Sequence, residues 1–251
     1  MSDILLEARD ITVRFGGLIA VDAVSATFRA GELVGIIGPN GAGKTTFFNA
    51  ISGVQMSTSG QLLVAGRNLS GQAPHHYAAA GIARTFQTPR VFADMSVTAN
   101  IDFGLKFAGR KRQGSWHLRD ALSILELIGL ARLADLPAGA ITPSQQRALE
   151  IGMALATRPR LLLLDEVAAG LTEAEVDNMA QLIRRMRDEL DLTVVWIEHA
   201  VTTLLNYVER VIVLHQGRKI ADGTPAEVVR NAEVIEAYLG DEMVEDAGVA
   251  P

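Results

Sequence analysis

The run Gly38-Pro39-Asn40-Gly41-Ala42-Gly43-Lys44-Thr45 has the spacing G-x-x-x-x-G-K-[ST], which suits a polyphosphate. Its glycines let successive backbone N–H groups curl around phosphate oxygens without Cβ clashes. A helix beginning near Lys44 adds the positive end of its dipole. Lys44 would reach the β- and γ-phosphates, the Thr45 hydroxyl would ligate Mg²⁺, and Thr46 lies beside them on the nucleotide. A second cluster follows the apolar run Leu161–Leu164, where Asp165 and Glu166 stand at the end of a strand buried on both faces. In an open α/β sheet that edge is where ligands bind. Asp165 would hold Mg²⁺ through water, and Glu166 would polarise the attacking water. His75-His76 is an adjacent pair without metal-ligand spacing and reads as a surface turn.

These residues need a scaffold, and the apolar periodicities outline one. Residues 4–15 alternate at Ile11, Val13 and Phe15, and Val24, Ala26 and Phe28 continue the alternation beyond the bend at Gly16-Gly17. Leu33–Ile37 is a continuous apolar strand leading into the phosphate loop. Leu118, Ala121, Leu122, Leu125 and Ile128 fall at helical spacing, as do Leu149, Gly152, Met153 and Ala156. Thr193–Ile197 is a further strand. Thr172 and Glu175 form a capping box ahead of the stripe Val176, Met179, Ala180 and Ile183. Val211–Leu214 and Arg218–Ala221 flank a turn at 215–217, and Thr224-Pro225 opens another helix. Gly109-Arg110-Lys111-Arg112-Gln113-Gly114 reads as a solvated basic loop, and the tail after Gly240 as a frayed acidic end. The sum is an α/β chain interrupted by a mainly helical insert.

With 251 residues, 49% hydrophobic and 21% charged, the chain can bury a sizeable core, which excludes disorder as its dominant state. A net charge of −6 argues against a surface that coats nucleic acid. The absence of cysteine excludes disulfides, thiolate zinc sites and cysteine nucleophiles. Acidic residues in MSDILLEARD argue against a secretory leader, and no stretch reads as a membrane span.

Further segments resemble one family along nearly the whole chain, the ATP-binding subunits of ABC transporters. Arg84-Thr85-Phe86-Gln87 is similar to its Q-loop, Gln145-Gln146-Arg147 to the end of its signature, and Trp196-Ile197-Glu198-His199 to the strand leading into its switch histidine. Phe15-Gly16-Gly17-Leu18-Ile19-Ala20-Val21, Val91-Phe92, Met95-Ser96-Val97, Ala168-Ala169-Gly170-Leu171 and the ending Gly223-Thr224-Pro225 to Val234–Gly240 resemble the branched-chain amino-acid importers. Lipopolysaccharide-exporter ATPases share that ending.

The resemblance implies a P-loop NTPase core with a parallel sheet, an N-terminal antiparallel β subdomain and an inserted α-helical subdomain. The expected organisation is one domain, 1–251, with 1–87 and 158–251 as the nucleotide-binding core and 88–157 as the helical part. It implies ATP and Mg²⁺ as cofactors, with Thr45, Gln87 and Asp165 on the metal. Phe15 would stack on adenine, Glu166 and His199 would serve the attacking water, and Gln87 would relay nucleotide state to the insert. The partners implied are a second ATPase subunit (an identical copy or a paralogue) and two permeases, which would hold the chain peripherally on the cytoplasmic face of the cell membrane. Val91 and Phe92 are candidates for docking them.

The signature departs from the family pattern Leu-Ser-Gly-Gly-Gln. Ile141-Thr142-Pro143-Ser144-Gln145 stands there, and the loop would press on ATP held by the partner. Ser144 puts a side chain where glycine permits close approach, and Pro143 lacks an N–H. An asymmetric pair with one weakened site, or a nucleotide-sensing clamp with little hydrolysis, are the readings this raises. Val167 in place of proline and Ala200 in place of aspartate are lesser departures.

Overall fold

The computed structural model describes residues 4–107, 117–198 and 201–238. His199, Ala200, the basic loop 109–114 and the tail from Leu239 onward lie outside the described residues.

In chain order the strands are β1 (Ile4–Phe15), β2 (Leu18–Arg29), β3 (Leu33–Ile37), β4 (Ser59–Val64), β5 (Arg67–Asn68), β6 (Ile82–Arg84), β7 (Leu161–Asp165), β8 (Thr193–Ile197), β9 (Arg210–His215) and β10 (Arg218–Gly223). The α-helices are α1 (Lys44–Ile51), α2 (Pro74–Ala79), α3 (Val97–Lys106), α4 (Ala121–Leu127), α5 (Pro143–Ala156), α6 (Glu173–Leu190), α7 (Val201–Leu205) and α8 (Pro225–Val228), and residues 232–238 are also helical. The strands form two sheets, one ordered β2-β1-β4-β5 and one ordered β10-β9-β3-β8-β7-β6. The first is antiparallel, and the second is parallel except at its β10 edge.

Apolar content explains the central strands. Every residue of β3, β7 and β8 is buried, as continuous aliphatic runs require of strands covered on both faces. Successive side chains then point to opposite faces. Leu33, Leu162, Leu164, Val194 and Trp196 join the core formed with α3 to α6. Val34, Ile36, Leu161, Leu163, Val195 and Ile197 join the core formed with α1 and the antiparallel sheet. The helices start where their caps dictate. Thr142 with Gln145, Thr172 with Glu175 and Thr224 with Glu227 each form a capping box, and Pro143 and Pro225 occupy the first turn.

Some expectations change. Leu118 and Ile128 flank α4 rather than lying within it but are buried with Ala121 and Leu125, whereas Leu122 points outward at 56% exposure, and Ile124 and Leu127 take part in the buried face instead. His75-His76 is not a turn but part of α2, which begins at Pro74 because proline suits a first helical position. The elements between 59 and 84 have no counterpart in the sequence reading. Val91 packs against the core, whereas Phe92 is 42% exposed.

Candidate functional site

The phosphate loop leaves the end of β3 and closes on α1. Glycine is required at both of its ends. A Cβ on Gly38 would meet the Leu214 carbonyl oxygen at 2.1 Å, and one on Gly43 would meet that of Ala20 at 2.4 Å. Gly43 also takes φ 92°, which L side chains rarely adopt. The Lys44 side chain is buried under the loop, and its Nζ donates to the carbonyls of Gly38 (2.6 Å) and Pro39 (2.8 Å). Thr45 is exposed at the helix start, and Thr46 is half-buried beside it. A groove of about 560 Å³ runs from Asn40–Thr46 to Phe15, Leu18, Ile19 and Ala20 of the hairpin and to Gln216-Gly217. Phe15 is half exposed there, at the end of β1, rather than continuing the buried row of Ile11 and Val13. Gly217 N donates to the Ala42 carbonyl (3.0 Å), which fixes the β9–β10 turn against the loop.

Asp165 ends β7, and Arg84 ties it to the phosphate-loop helix. One guanidinium nitrogen donates to Asp165 Oδ2 (3.1 Å), and another to Asn49 Oδ1 (2.7 Å) and Ser52 Oγ (3.0 Å) of α1 and its C-cap. The same guanidinium lies over the rings of Phe48 (5.5 Å) and Phe86 (4.7 Å). Burial pulls the Arg84 pKa down and the Asp165 charge opposes this. The neighbouring Glu166 is buried, and the exposed Gln87 donates Nε2 to its Oε2 (2.6 Å). So the structure brings Asp165 to α1, and Gln87 to Glu166. Thr45 and Asp165 supply a hydroxyl and a carboxylate, and Gln87 an amide oxygen. Hard oxygen donors with a single carboxylate fit Mg²⁺, which is bound together with substrate phosphates rather than in an all-protein cage.

The residues of the altered signature begin α5. Thr142 Oγ1 accepts from Gln145 N (3.3 Å), and Gln145 Oε1 accepts from Thr142 N (2.9 Å), so both side chains serve the cap. Pro143 occupies the first turn, and the half-buried Ser144 follows it. Glu175 is held below its ordinary value, first by the Thr172 backbone and side chain and then by Ser144.

Four charged side chains at this site carried no role in the sequence reading: Arg84, Arg147, Glu150 and Glu198. The usable signal was a charge inside an apolar pattern, Glu150 within the α5 stripe and Glu198 directly after the buried run of β8. Glu150 accepts from Phe86 N (3.4 Å) and Arg90 N (3.0 Å), and so brackets Gln87 from the signature helix. Burial pushes Glu150 up to about 7 against those two N–H groups. A folded pKa above the unfolded value of 4.5 means a stabilisation complete below that value and lost as pH rises through about 7. Glu150→Gln should therefore gain stability relative to the parent between pH 5 and pH 8, on the order of 2 kcal/mol. Denaturation midpoints at the two pH values check this, and parallel pH profiles for the two proteins would contradict it.

Comparison with known proteins adds the following. The model of a family described as ABC transporter matches residues 21–169, and that of the branched-chain amino acid ATP-binding cassette transporter matches residues 218–244. The high-affinity branched-chain amino acid transport ATP-binding protein BraF of Pseudomonas aeruginosa is 39% identical over 96% of this chain and 100% of its own length. LivG of Escherichia coli, a protein of the same description, is 37% identical over the same shares. The ADP-conformation crystal structure of MJ1267, an ATP-binding cassette of an ABC transporter, superimposes with a TM-score of 0.83 at 29% identity, covering 94% of this chain and 99% of that one.

Proposed function

This chain belongs to the ATP-binding subunits of ABC transporters, and we propose that it drives import of branched-chain amino acids, or a related small solute, by hydrolysing MgATP. The ATPase reading is carried by one observation: the phosphate loop and Asp165-Glu166 both leave the carboxyl edge of one parallel sheet, and Arg84 ties Asp165 to the helix that follows the loop. The full-length likeness to BraF and LivG supports the substrate class.

ATP would lie in the groove with adenine on Phe15, whose exposed ring offers an aromatic face at low entropy cost. The amides of Gly38–Gly43 and the start of α1 would cradle the phosphates, and Lys44 would exchange its loop carbonyls for phosphate oxygens. Bound through Thr45, Asp165 and Gln87, Mg²⁺ would supply charge neutralisation of the phosphates. Glu166 would accept the proton of the attacking water, with Gln87 holding its other face. His199, outside the described residues, keeps its proposed place near the γ-phosphate.

A second ATPase subunit would complete the site by laying its signature on this chain's ATP, while Thr142-Pro143-Ser144-Gln145 meets the partner's ATP. Nucleotide then becomes part of the interface, and its presence favours the closed state by differential binding. The helical segment 88–157 would carry the permease-docking face. Its exposed rings meet in series, Phe92 edge-on to Phe103 at 4.8 Å and Phe103 tilted against Phe107 at 5.2 Å between centroids. No helix among the described residues is long and apolar enough to cross a membrane, so docking on separate permease chains would give the membrane association.

Phosphate release by the chain alone and with its permeases tests this reading, and a chain inert in both conditions would refute it. Ser144→Gly should leave turnover equal or faster, because it removes a side chain from the surface facing the partner's nucleotide. A slower Ser144→Gly would end the weakened-site reading.

A further inference from the structure

Glu166 has φ 49°, a left-handed conformation that costs a non-glycine residue about 1–3 kcal/mol and persists only where its surroundings enforce it. No proline lies between residues 166 and 171 to fix the backbone. The enforcement comes instead from hydrogen bonds. Glu166 N donates to the Ile197 carbonyl (2.9 Å), and Ala169 N closes the turn onto the Glu166 carbonyl (3.2 Å). Arg147 Nη1, from α5, donates to the carbonyls of Glu166 (3.2 Å) and Val167 (2.7 Å). On the other side Glu198 Oε1 accepts from Ala168 N (2.7 Å) and from the Trp196 indole N–H (3.0 Å). Glu198 is 2% exposed, so these donors serve a carboxyl oxygen with almost no access to water.

We propose that Arg147 and Glu198 are positioning residues that grip the turn at Glu166–Ala169 from opposite sides and aim the Glu166 carboxylate at the phosphate loop. The grip takes the backbone carbonyls with a guanidinium donor and a backbone amide with a carboxyl oxygen acceptor. It also makes the signature helix, through Arg147, one body with the catalytic turn of the same chain. The inference rests on the reading of Glu166 as the base for water.

The test uses the full-length chain with Glu198→Ala, Glu198→Gln and Arg147→Ala. Three quantities are read: single-turnover ATP cleavage, the KM for MgATP, and amide exchange over residues 164–171. Glu198→Ala and Arg147→Ala should lower the cleavage rate about 10- to 100-fold, the cost of a misplacement near 1 Å, and leave KM within about twofold. Amide exchange of the turn should accelerate in both. Glu198→Gln keeps an oxygen acceptor of the same size and should stay within about threefold of the parent in all three readings. Unchanged exchange in both alanine variants would overturn the proposal whatever the turnover. So would a Glu198→Gln as slow as Glu198→Ala, since that would make the charge, not the hydrogen bonds, the active element. Should Glu198→Ala fail to fold, Arg147→Ala and Glu198→Gln decide. Failure of the underlying reading is distinct, since it appears as a Glu166→Gln variant that still hydrolyses ATP.

Discussion

Glutamine in place of Glu166 should cut ATP turnover by about 10³-fold, the middle of the range for a lost general base, while MgATP still binds within about twofold. The substitution keeps size, backbone demand and one side-chain oxygen. Gln87 can still donate to residue 166, and the turn that holds it depends on backbone groups. The fold therefore has no reason to change, and the loss falls on the step in which water gives up its proton. Nucleotide titration and single-turnover cleavage on the same preparation separate the two. Equal losses in binding and cleavage would move Glu166 from catalysis to binding.

Lys44→Ala should act at the earlier step, weakening MgATP binding by about 100-fold, equivalent to about 2.7 kcal/mol. Lys44 is buried, and its ammonium is already aimed into the loop by the Gly38 and Pro39 carbonyls. Nothing else in the phosphate loop carries a positive side chain. Alanine also removes the Lys44 donor from the Gly38 carbonyl, while the Pro39 carbonyl keeps Ala42 N (3.2 Å), so the nucleotide-free chain should lose about 1–3 kcal/mol of stability. Titration with ATP and a denaturant melt check both effects. Unchanged affinity would place the phosphates away from Lys44.

The two motifs at the centre of these predictions were legible because each is local. The phosphate loop lies within eight residues, 38–45, and Asp165-Glu166 sits at the end of an unbroken aliphatic strand. β3, β7 and β8 were equally plain, since strands covered on both faces are apolar throughout. The segment holding β4 to β6 was not, because small polar residues from Thr45 to Gly66 blur any period. Leu122 misled because a match to helical spacing does not say which side of the helix meets the core. The partners of the supporting charges were illegible for another reason. Arg84 meets Asp165 across 81 positions, Glu150 meets Phe86 across 64, and Glu198 meets Ala168 across 30. Only the fold creates those contacts, by setting β6 beside β7, β7 beside β8 and α5 against β6.

A crystal structure of the Glu166→Gln chain grown with MgATP measures the central claim most directly. The predicted density is a triphosphate wrapped by the amides of Gly38–Gly43, with Lys44 on its terminal phosphates. The metal would sit between Thr45 and Asp165, and residue 166 would face a water beside the γ-phosphorus. Nucleotide seated elsewhere, or in this loop with Asp165 and residue 166 turned away from its phosphates, would contradict the account.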